Sequence, residues 1–496
     1  MNELHFVPLG GSGEIGMNLN LYGYDNQWIM VDCGMMIDSS DGVDQIFVPD
    51  VDFLKQKNLL ALILTHAHED HIGGITDLWQ ELRCPLYTTP FTAAVIRRKL
   101  RESKIKEHVP IKVQVPGGKF KLGENFACEL VPVTHSTVES QSLLLTTPKG
   151  RIFHTGDWKL DPQPLVGKDT AKKRIQEIGN EGVLAVIGDS TNAQIDGHSG
   201  SEFTVRTRLR ELVLAEKGRV VCTSFSSNIA RLMTFFNIAQ ETQRNIVLIG
   251  RSLKRMVSAA QETGYIPRDL SIVPPREAMY LPPERLLLVC TGSQGEARAG
   301  LARIAGRSHP DIYLEEGDTV FFSSKVIPGN ENEIEQLKKG LRRLGVKTID
   351  EDEEYIHVSG HPCRDELKLM YQWLKPQILI PVHGYPPHLK AHAELGESCD
   401  IPHVIEVRNG DIVHLDEYAP SITGSIPTGR RLRIEQEWPP RSRSRGRESH
   451  AKKLKDSPKV SSNSVKKNYR KGDEKYVDQW QESRQSFLDS FRKGRH

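Results

Sequence analysis

The sequence predicts an α/β fold, and three observations predict it. Short runs rich in Val, Ile and Leu recur along the chain and stop abruptly at a polar residue or glycine, as strands covered on both faces do. Amphipathic stretches of helix length lie between some of these runs. At 496 residues and 38% hydrophobic, the chain can bury sizeable cores in about two to four domains.

Taken in order, the runs are "WIMVDCG", ending at Asp32; "LLALILTHAH", ending at His66; "RIFHTGD", ending at Asp157; "VLAVIGDS", ending at Asp189; and "QILIPVHG", ending at His383. Helices are expected within "HIGGITDLWQELR" and over "RDELKLMYQWL", the latter just before the His383 strand. Chemistry-bearing groups therefore stand at strand ends, where layered α/β folds place ligands. A middle set, "RVVCTSFSSN", "NIVLIGRS", "RLLLVCTGSQGE" and "DTVFFSSKVIPGN", consists of apolar strands ending in Ser, Gly or Asn. Such residues let phosphate approach backbone N–H groups and hydroxyls, but ordinary turns use them too, and spacing alone does not separate the two.

Charge is unevenly spread. The chain carries 66 Lys and Arg against 64 Asp and Glu; from Gly429 onward the balance is 20 against 9, which leaves 46 against 55 for the rest. An acidic body thus precedes a basic tail. The tail has almost no large apolar residues over "RSRSRGRESHAKKLKDSPKVSSNSVKKNYRKG" and is expected to be disordered, because it cannot offset its ordering entropy. Near its end Tyr476, Val477, Trp480, Phe487, Leu488 and Phe491 recur at near-helical spacing, which suits a docking helix. No apolar stretch reaches the roughly 18 residues of a membrane span, so no membrane partner is expected. Scattered cysteines without a CxxC pair, and a start without the features of a secretory signal, point to a reducing, cytoplasmic setting.

The stretch "LTHAHEDHIGG", Leu64 to Gly74, concentrates titratable side chains directly after a buried run. His66, His68, Asp70 and His71 would make a poor core, since too many polar groups would lose water. They suit borderline divalent metals, which take nitrogen and oxygen ligands. A solvated His-rich turn is the plain alternative, and for one histidine it would prevail. Gly73 and Gly74 fit a helix start packed close to backbone. Further candidate ligands stand after other apolar runs: His135 in "VPVTHSTVES", Asp157 in "HTGDWKLD" and His383 in "IPVHGY". Each alone could be a turn or core-edge residue; together they fit one cluster.

This series, HxHxDH followed by a distant His, a strand-end Asp and a late His, resembles the ligand series of the metallo-β-lactamase fold. "GGSGEIGMN", "GDSTNA", "FSSNIARL", "CTGSQGE", "HVSGH" and "ELKLM" followed by "PVHG" make it similar to the β-CASP ribonucleases, in particular the bacterial ribonuclease J family, over roughly residues 4 to 425. The resemblance implies an αββα sandwich formed by residues 1–198 and 356–425, an inserted α/β β-CASP domain over 199–355, and the basic tail over 429–496. It implies two zinc ions, with manganese as the alternative. His66, His68 and His135 would hold one; Asp70, His71 and His383 the other; Asp157 would bridge them, and Asp32 would stand behind and orient a ligand. Asp189, His361 and Asp70 are the catalytic candidates, and Ser226, Asn228, His357, Ser359 and His361 the candidates for holding substrate phosphates. A His at position 383 goes with RNA rather than DNA. Three positions depart from the family pattern: Tyr385 replaces a Glu, Glu139 an Asp, and the tail a folded C-terminal domain, which leaves a homodimer open.

The chemistry expected of such a site is phosphodiester hydrolysis. Two metals about 3.5–4 Å apart supply a nucleophile from water near neutral pH and neutralise phosphate oxygens. His361 would protonate the leaving oxygen or donate to its developing charge, oriented by Asp189. The expected activity is 5′→3′ exonuclease action favouring 5′-monophosphate ends of single-stranded RNA, with endonuclease action, in RNA decay and in rRNA and mRNA processing; decay factors or ribosomal partners could engage the tail. The competing functions are hydrolysis of a small thioester or ester, a non-catalytic RNA-binding subunit, and an endonuclease of the eukaryotic 3′-end-processing kind.

Overall fold

The computed structural model describes residues 3–38, 45–327 and 329–433. Most of the basic tail, with its apolar stripe from Tyr476 to Phe491, lies outside the described residues. Every apolar run singled out in the sequence forms a strand: Gln27–Val31, Asn58–Ile63, Gly150–His154, Ala185–Asp189 and Ile378–Val382. The expected helices form at Ile75–Leu82 and Arg364–Leu374.

Two sheets face each other. One has eight strands, in the order Ser421–Ser425, Asp411–His414, Leu4–Gly10, Leu19–Tyr24, Gln27–Val31, Asn58–Ile63, Leu86–Thr88 and Ile111–Val113. The other has seven and runs from His403–Val404 through Ile378–Val382, Ala185–Asp189 and Gly150–His154 to Lys119–Leu122. Their inner faces share a core of Phe6, Tyr22, Ile29, Val31 and Ile63 against Leu143, Leu145, Ile187 and Ile380. Helices Lys172–Glu181 and Arg364–Leu374 cover the outer face of the second sheet through Ile175, Ile178, Leu367 and Met370. Helices Ile75–Leu82 and Pro90–Glu102 cover the first through Ile75, Leu78, Phe91 and Val95. This is the helix–sheet–sheet–helix sandwich.

Between Glu202 and Ile349 the chain builds a third sheet of five parallel strands, Asn245–Ile249, Leu286–Cys290, Val220–Thr223, Thr319–Phe322 and Lys347–Ile349. These are the four middle runs plus one short strand, and helices such as Ile229–Glu241 and Glu331–Arg342 pack on both faces, as an all-parallel sheet requires. The chain leaves the sandwich at Ser199–Glu202 and returns at Ile356–His361.

The first residues of the basic segment, which precede the stretch expected to be disordered, join the body. Arg430–Leu432 pairs antiparallel with Gln45–Pro49, and Arg431 binds Asp50, Asp52 and Glu81 while Arg433 binds Asp77. An acidic cluster on the body fixes these first arginines, which composition alone could not reveal. All seven cysteines are free, and six are buried. Among the described residues no helix is long and apolar enough to cross a membrane.

Candidate active site

Strand order brings the predicted ligands together. Gly150–His154, Ala185–Asp189 and Ile378–Val382 run parallel and adjacent, with Asp189 in register with Val382. Asp157, Asp189 and His383 therefore emerge side by side at the same sheet edge. From the facing sheet, the strand Asn58–Ile63 delivers His66 and His68, and the turn Glu69–Ile72 delivers Asp70 and His71. Gly73 and Gly74 are required here: a Cβ on Gly73 would lie 2.4 Å from the Glu69 carbonyl oxygen, and one on Gly74 2.7 Å from that of Gly34. Asp32 and His383 take left-handed backbone, φ 61° and 54°, a strain that the surrounding contacts must hold.

Two ligand sets result, each with its donor atoms within 4.8 Å of one another: His66, His68, His135 and Asp157; and Asp70, His71, Asp157 and His383. Asp157 belongs to both. Its Oδ2 lies 3.7 Å from Nε2 of His66, 3.7 Å from Nε2 of His135 and 3.2 Å from Nε2 of His71. A third set, Asp157, Asp189, His361 and His383, overlaps the second. Nε2 of His66 and Oδ2 of Asp157 are buried without a hydrogen-bond partner. Buried polar atoms rarely go unpaired, and this nitrogen and oxygen donor set suits a divalent metal, so the residues present fit metal ions.

The groups behind the ligands choose which nitrogen is presented. Nδ1 of His71 is 2.7 Å from Asp32 Oδ2, which leaves Nε2 for the centre. The Thr65 hydroxyl donates to Asp32 Oδ2 at 2.8 Å and sits 3.0 Å from Nδ1 of His66, so Asp32 supports a ligand in each set. Nδ1 of His135 donates to the Gly360 carbonyl at 2.6 Å. Nδ1 of His383 meets Thr191 Oγ1 at 2.9 Å and Asp189 Oδ1 at 3.3 Å, while its Nε2 lies 3.2 Å from Asp70 Oδ2. Asn18 donates to the Asp70 carbonyl at 3.1 Å and lies 3.2 Å from His71 Nε2. Such support fixes ring orientation and tautomer at metal sites.

Burial and charge divide the histidines. Burial, and then neighbouring histidines, hold His66 and His135 well below the usual imidazole range; burial lowers His68 to about 4. Burial also disfavours charge on His71, but Asp157, Asp70 and Asp32 overcome it and raise His71 well above 6.5. Against the same desolvation, Asp157 and hydrogen bonds to Asp189 and Asp70 raise His383 to about 10. Asp189 and Asp157 raise His361. Before metal binds, the first set thus holds neutral imidazoles and the second holds imidazoliums.

His361 stands on the loop returning from the third sheet. Its Nδ1 is 2.8 Å from Asp189 Oδ2, and its side chain is 21% exposed against 4% for His383. Ser359 accepts hydrogen bonds from Asn192 Nδ2 at 2.7 Å and from the His361 N–H at 3.2 Å, which leaves its own hydroxyl proton free to donate. His357 is held neutral by burial, with Nδ1 unpartnered. Ser226 is half-buried in the turn after Val220–Thr223. Asn228 serves the helix that follows. It is the N-cap of helix Ile229–Glu241, its Oδ1 accepting from Arg231 N at 2.8 Å, and it is buried.

The departures from the family pattern also find places. Gly384 is held by the glycine-rich turn, with Gly13 N donating to its carbonyl at 3.0 Å, and Tyr385 starts helix Pro386–Ser398. Glu139 is buried; it accepts from Phe91 N at 2.7 Å and from the Tyr265 hydroxyl at 3.0 Å, tying the sandwich to the third-sheet region. Residues not foreseen include Asn18, Thr65, Thr191, Asn192 and Lys159. Asn18, Thr191 and Asn192 lie in the quoted motifs "GGSGEIGMN" and "GDSTNA", which is the signal that could have found them.

Comparison with known proteins agrees with this geometry. Residues 217–341 match the ribonuclease J β-CASP domain, residues 27–177 the β-lactamase superfamily domain, and residues 352–405 the Zn-dependent metallo-hydrolase RNA specificity domain. The chain is 44% identical over 436 residues to ribonuclease J of Sinorhizobium meliloti, covering 86% of this chain and 77% of that one. It is 34% identical over 434 residues to ribonuclease J of Synechocystis, covering 86% and 68%, and 36% identical over 431 residues to ribonuclease J 1 of Streptococcus pyogenes, covering 85% and 76%. A solved protein of unknown function from Enterococcus faecalis shares the fold, with a TM-score of 0.58 at 16% identity over 83% of this chain and 100% of that one. With its candidate metal-holding residues gathered from two facing sheets and a parallel sheet inserted between Glu202 and Ile349, the chain belongs to the ribonuclease J family of metal-dependent ribonucleases.

Proposed function

We propose that the protein hydrolyses single-stranded RNA from a 5′-monophosphate end, nucleotide by nucleotide, and also cuts within chains, using two metal ions. Zinc suits the donor set, and manganese is the alternative. His66, His68 and His135 would hold one ion, Asp70, His71 and His383 the other, with Asp157 shared. The observation that carries the reading is Asp157, buried and common to both sets, with Oδ2 lying between His66, His71 and His135. When bound, the ions would activate the attacking water and neutralise phosphate oxygens.

The chain's own groups do the rest. Asp70, whose side chain is 30% exposed, accepts a hydrogen bond from the attacking water and orients it. His361 holds a proton on Nε2 and passes it to the leaving oxygen as the P–O bond breaks. Asp189, bonded to Nδ1, keeps the ring in place and stabilises its charged form. Ser359, His357 and Ser226 line the approach of the substrate's phosphates. The division is into residues 1–198, 199–355 and 356–425, a reading supported by the crossings at Ser199–Glu202 and Ile356–His361. A cytoplasmic site of action fits the unpaired cysteines.

The test uses 5′-labelled single-stranded RNA carrying a monophosphate or a triphosphate, with and without chelator. Release of labelled mononucleotide from the monophosphate form, lost on chelation, is the expected result. Equal release from both forms overturns the end preference, and binding without cleavage at any metal supply overturns hydrolysis. Cleavage of a small thioester but not of RNA would move the activity to another substrate class.

A further inference from the structure

Lys159 is buried, at 1% exposure, two residues beyond the shared ligand Asp157. A buried ammonium is costly, and a methionine would fill the same space. Its partners show what it serves. Nζ donates to the Gly200 carbonyl at 2.9 Å and to the Ser359 carbonyl at 3.2 Å, and Asp161 Oδ2, 3.5 Å away and equally buried, carries the balancing charge. Gly200 lies where the chain leaves the sandwich and Ser359 where it returns. The Lys159 backbone is fixed in turn to the metal side, its N–H donating to the Thr134 carbonyl at 2.8 Å, next to His135.

Neighbours complete the junction. Asp161 accepts from Glu202 N at 3.0 Å, and Glu366 accepts from Leu160 N at 2.7 Å and Ser199 N at 2.9 Å. At the far end of the returning loop Arg231, buried and paired with Glu202, donates to the Ile356 carbonyl at 3.0 Å. The loop from Ile356 to Gly360 is therefore held by Arg231 at its start, Lys159 at Ser359 and His135 at Gly360. Arg231 and Lys159 each grip both chain crossings, Arg231 at Glu202 and Ile356, and Lys159 at Gly200 and at Ser359, two residues from His361.

We propose that Lys159 is a positioning residue for the reaction: by tying the outgoing crossing at Gly200 to the returning loop at Ser359, it sets His361 and the Ser359 hydroxyl in register with the ligands around Asp157. It touches neither substrate nor metal. This rests on the reading that His361 serves the leaving oxygen.

The test compares Lys159→Met, Lys159→Arg and His361→Ala with the wild-type protein. Lys159→Met should keep its metal content and bind RNA within about threefold, yet lose about 10- to 100-fold in kcat, the cost of misplacing a reacting group by about 1 Å. Hydrogen exchange, followed with and without metal, should quicken in the peptide over residues 356–362 and stay unchanged elsewhere. Lys159→Arg, which keeps the charge and donors, should recover part of both. Unchanged exchange at 356–362 together with near-normal turnover overturns the proposal. So does faster exchange across the whole sandwich with loss of metal, which would mark a purely structural lysine. Full turnover in His361→Ala would defeat the proton-donor reading alone, because the exchange result reports loop anchoring independently of it.

Discussion

Asp32 and His71 meet at 2.7 Å, carboxylate to Nδ1, with both groups buried and Asp32 Oδ1 also accepting the Thr65 N–H at 2.8 Å. This pairing fixes the tautomer that presents Nε2 to the centre. Asp32→Asn would present an amide in place of the charge and free the ring to present the wrong nitrogen. Metal affinity should fall by about 10- to 100-fold with the fold intact. Titration of the metal-free variant with zinc checks this, and wild-type affinity would remove Asp32 from the set of supporting groups.

His68→Ala and Asp157→Asn should abolish hydrolysis while RNA binding largely survives, because the ligands serve the chemistry and much of the phosphate contact lies elsewhere. Wild-type cleavage rates in either purified variant would contradict the two-set centre.

Metal uptake should release protons unequally. At pH 7 the first set is already neutral, since His68 titrates at about 4 and His66 and His135 lie well below 6.5. His71 lies well above 6.5 and His383 near 10, so both carry protons that a metal must displace. Filling both sets should therefore release about two protons at pH 7, from His71 and His383 rather than from His66, His68 and His135, and overall affinity should rise with pH up to about 10. Calorimetry in buffers of different ionisation enthalpy measures this, and metal uptake without proton release would refute it.

Ser359→Ala should weaken the preference for 5′-monophosphate RNA more than it slows cutting within a chain, because the hydroxyl proton is free for a phosphate oxygen. Competition between the two substrates reads the ratio; an equal loss of both activities argues against a dedicated end pocket.

The segment beyond Arg433 carries 17 Lys and Arg against 9 Asp and Glu. Ending the chain after Arg433 should leave metal content and cleavage of short RNA intact. It should weaken binding to long RNA and flatten the salt dependence of that binding, as fewer counterions are released. Ending it after Thr428 should also lower the thermal midpoint, since Arg431 would no longer bind Asp50, Asp52 and Glu81. Equal long-RNA binding at low and high salt by truncated and full chains would exclude an electrostatic anchor.

Much of this centre was legible because its residues break a local rule. His66 and Asp157 follow apolar runs where a strand should simply turn, and their density excludes a core. Apart from Asp32, which the resemblance placed behind a ligand, the supporting contacts were not legible, because they join residues far apart in sequence: Asn18 to Asp70, His135 to Gly360. A single buried lysine such as Lys159 leaves no pattern at all. At Asn228 the reverse holds, since a local pattern was present and was passed over. An Asn before "IARL" is an ordinary helix-cap signal, and the cap claims its side chain.

The order of the ligands along the chain has a consequence for biosynthesis. His66, His68, His135 and Asp157 all precede the inserted sheet, whereas His383 follows it, 226 residues after Asp157. During synthesis the first set can assemble while the insert is still unmade, but the second cannot close until the insert has been made and the strand Ile378–Val382 has slotted beside Ala185–Asp189. On the proposed function, hydrolysis would therefore be withheld until the strand that carries His383 has been made and paired.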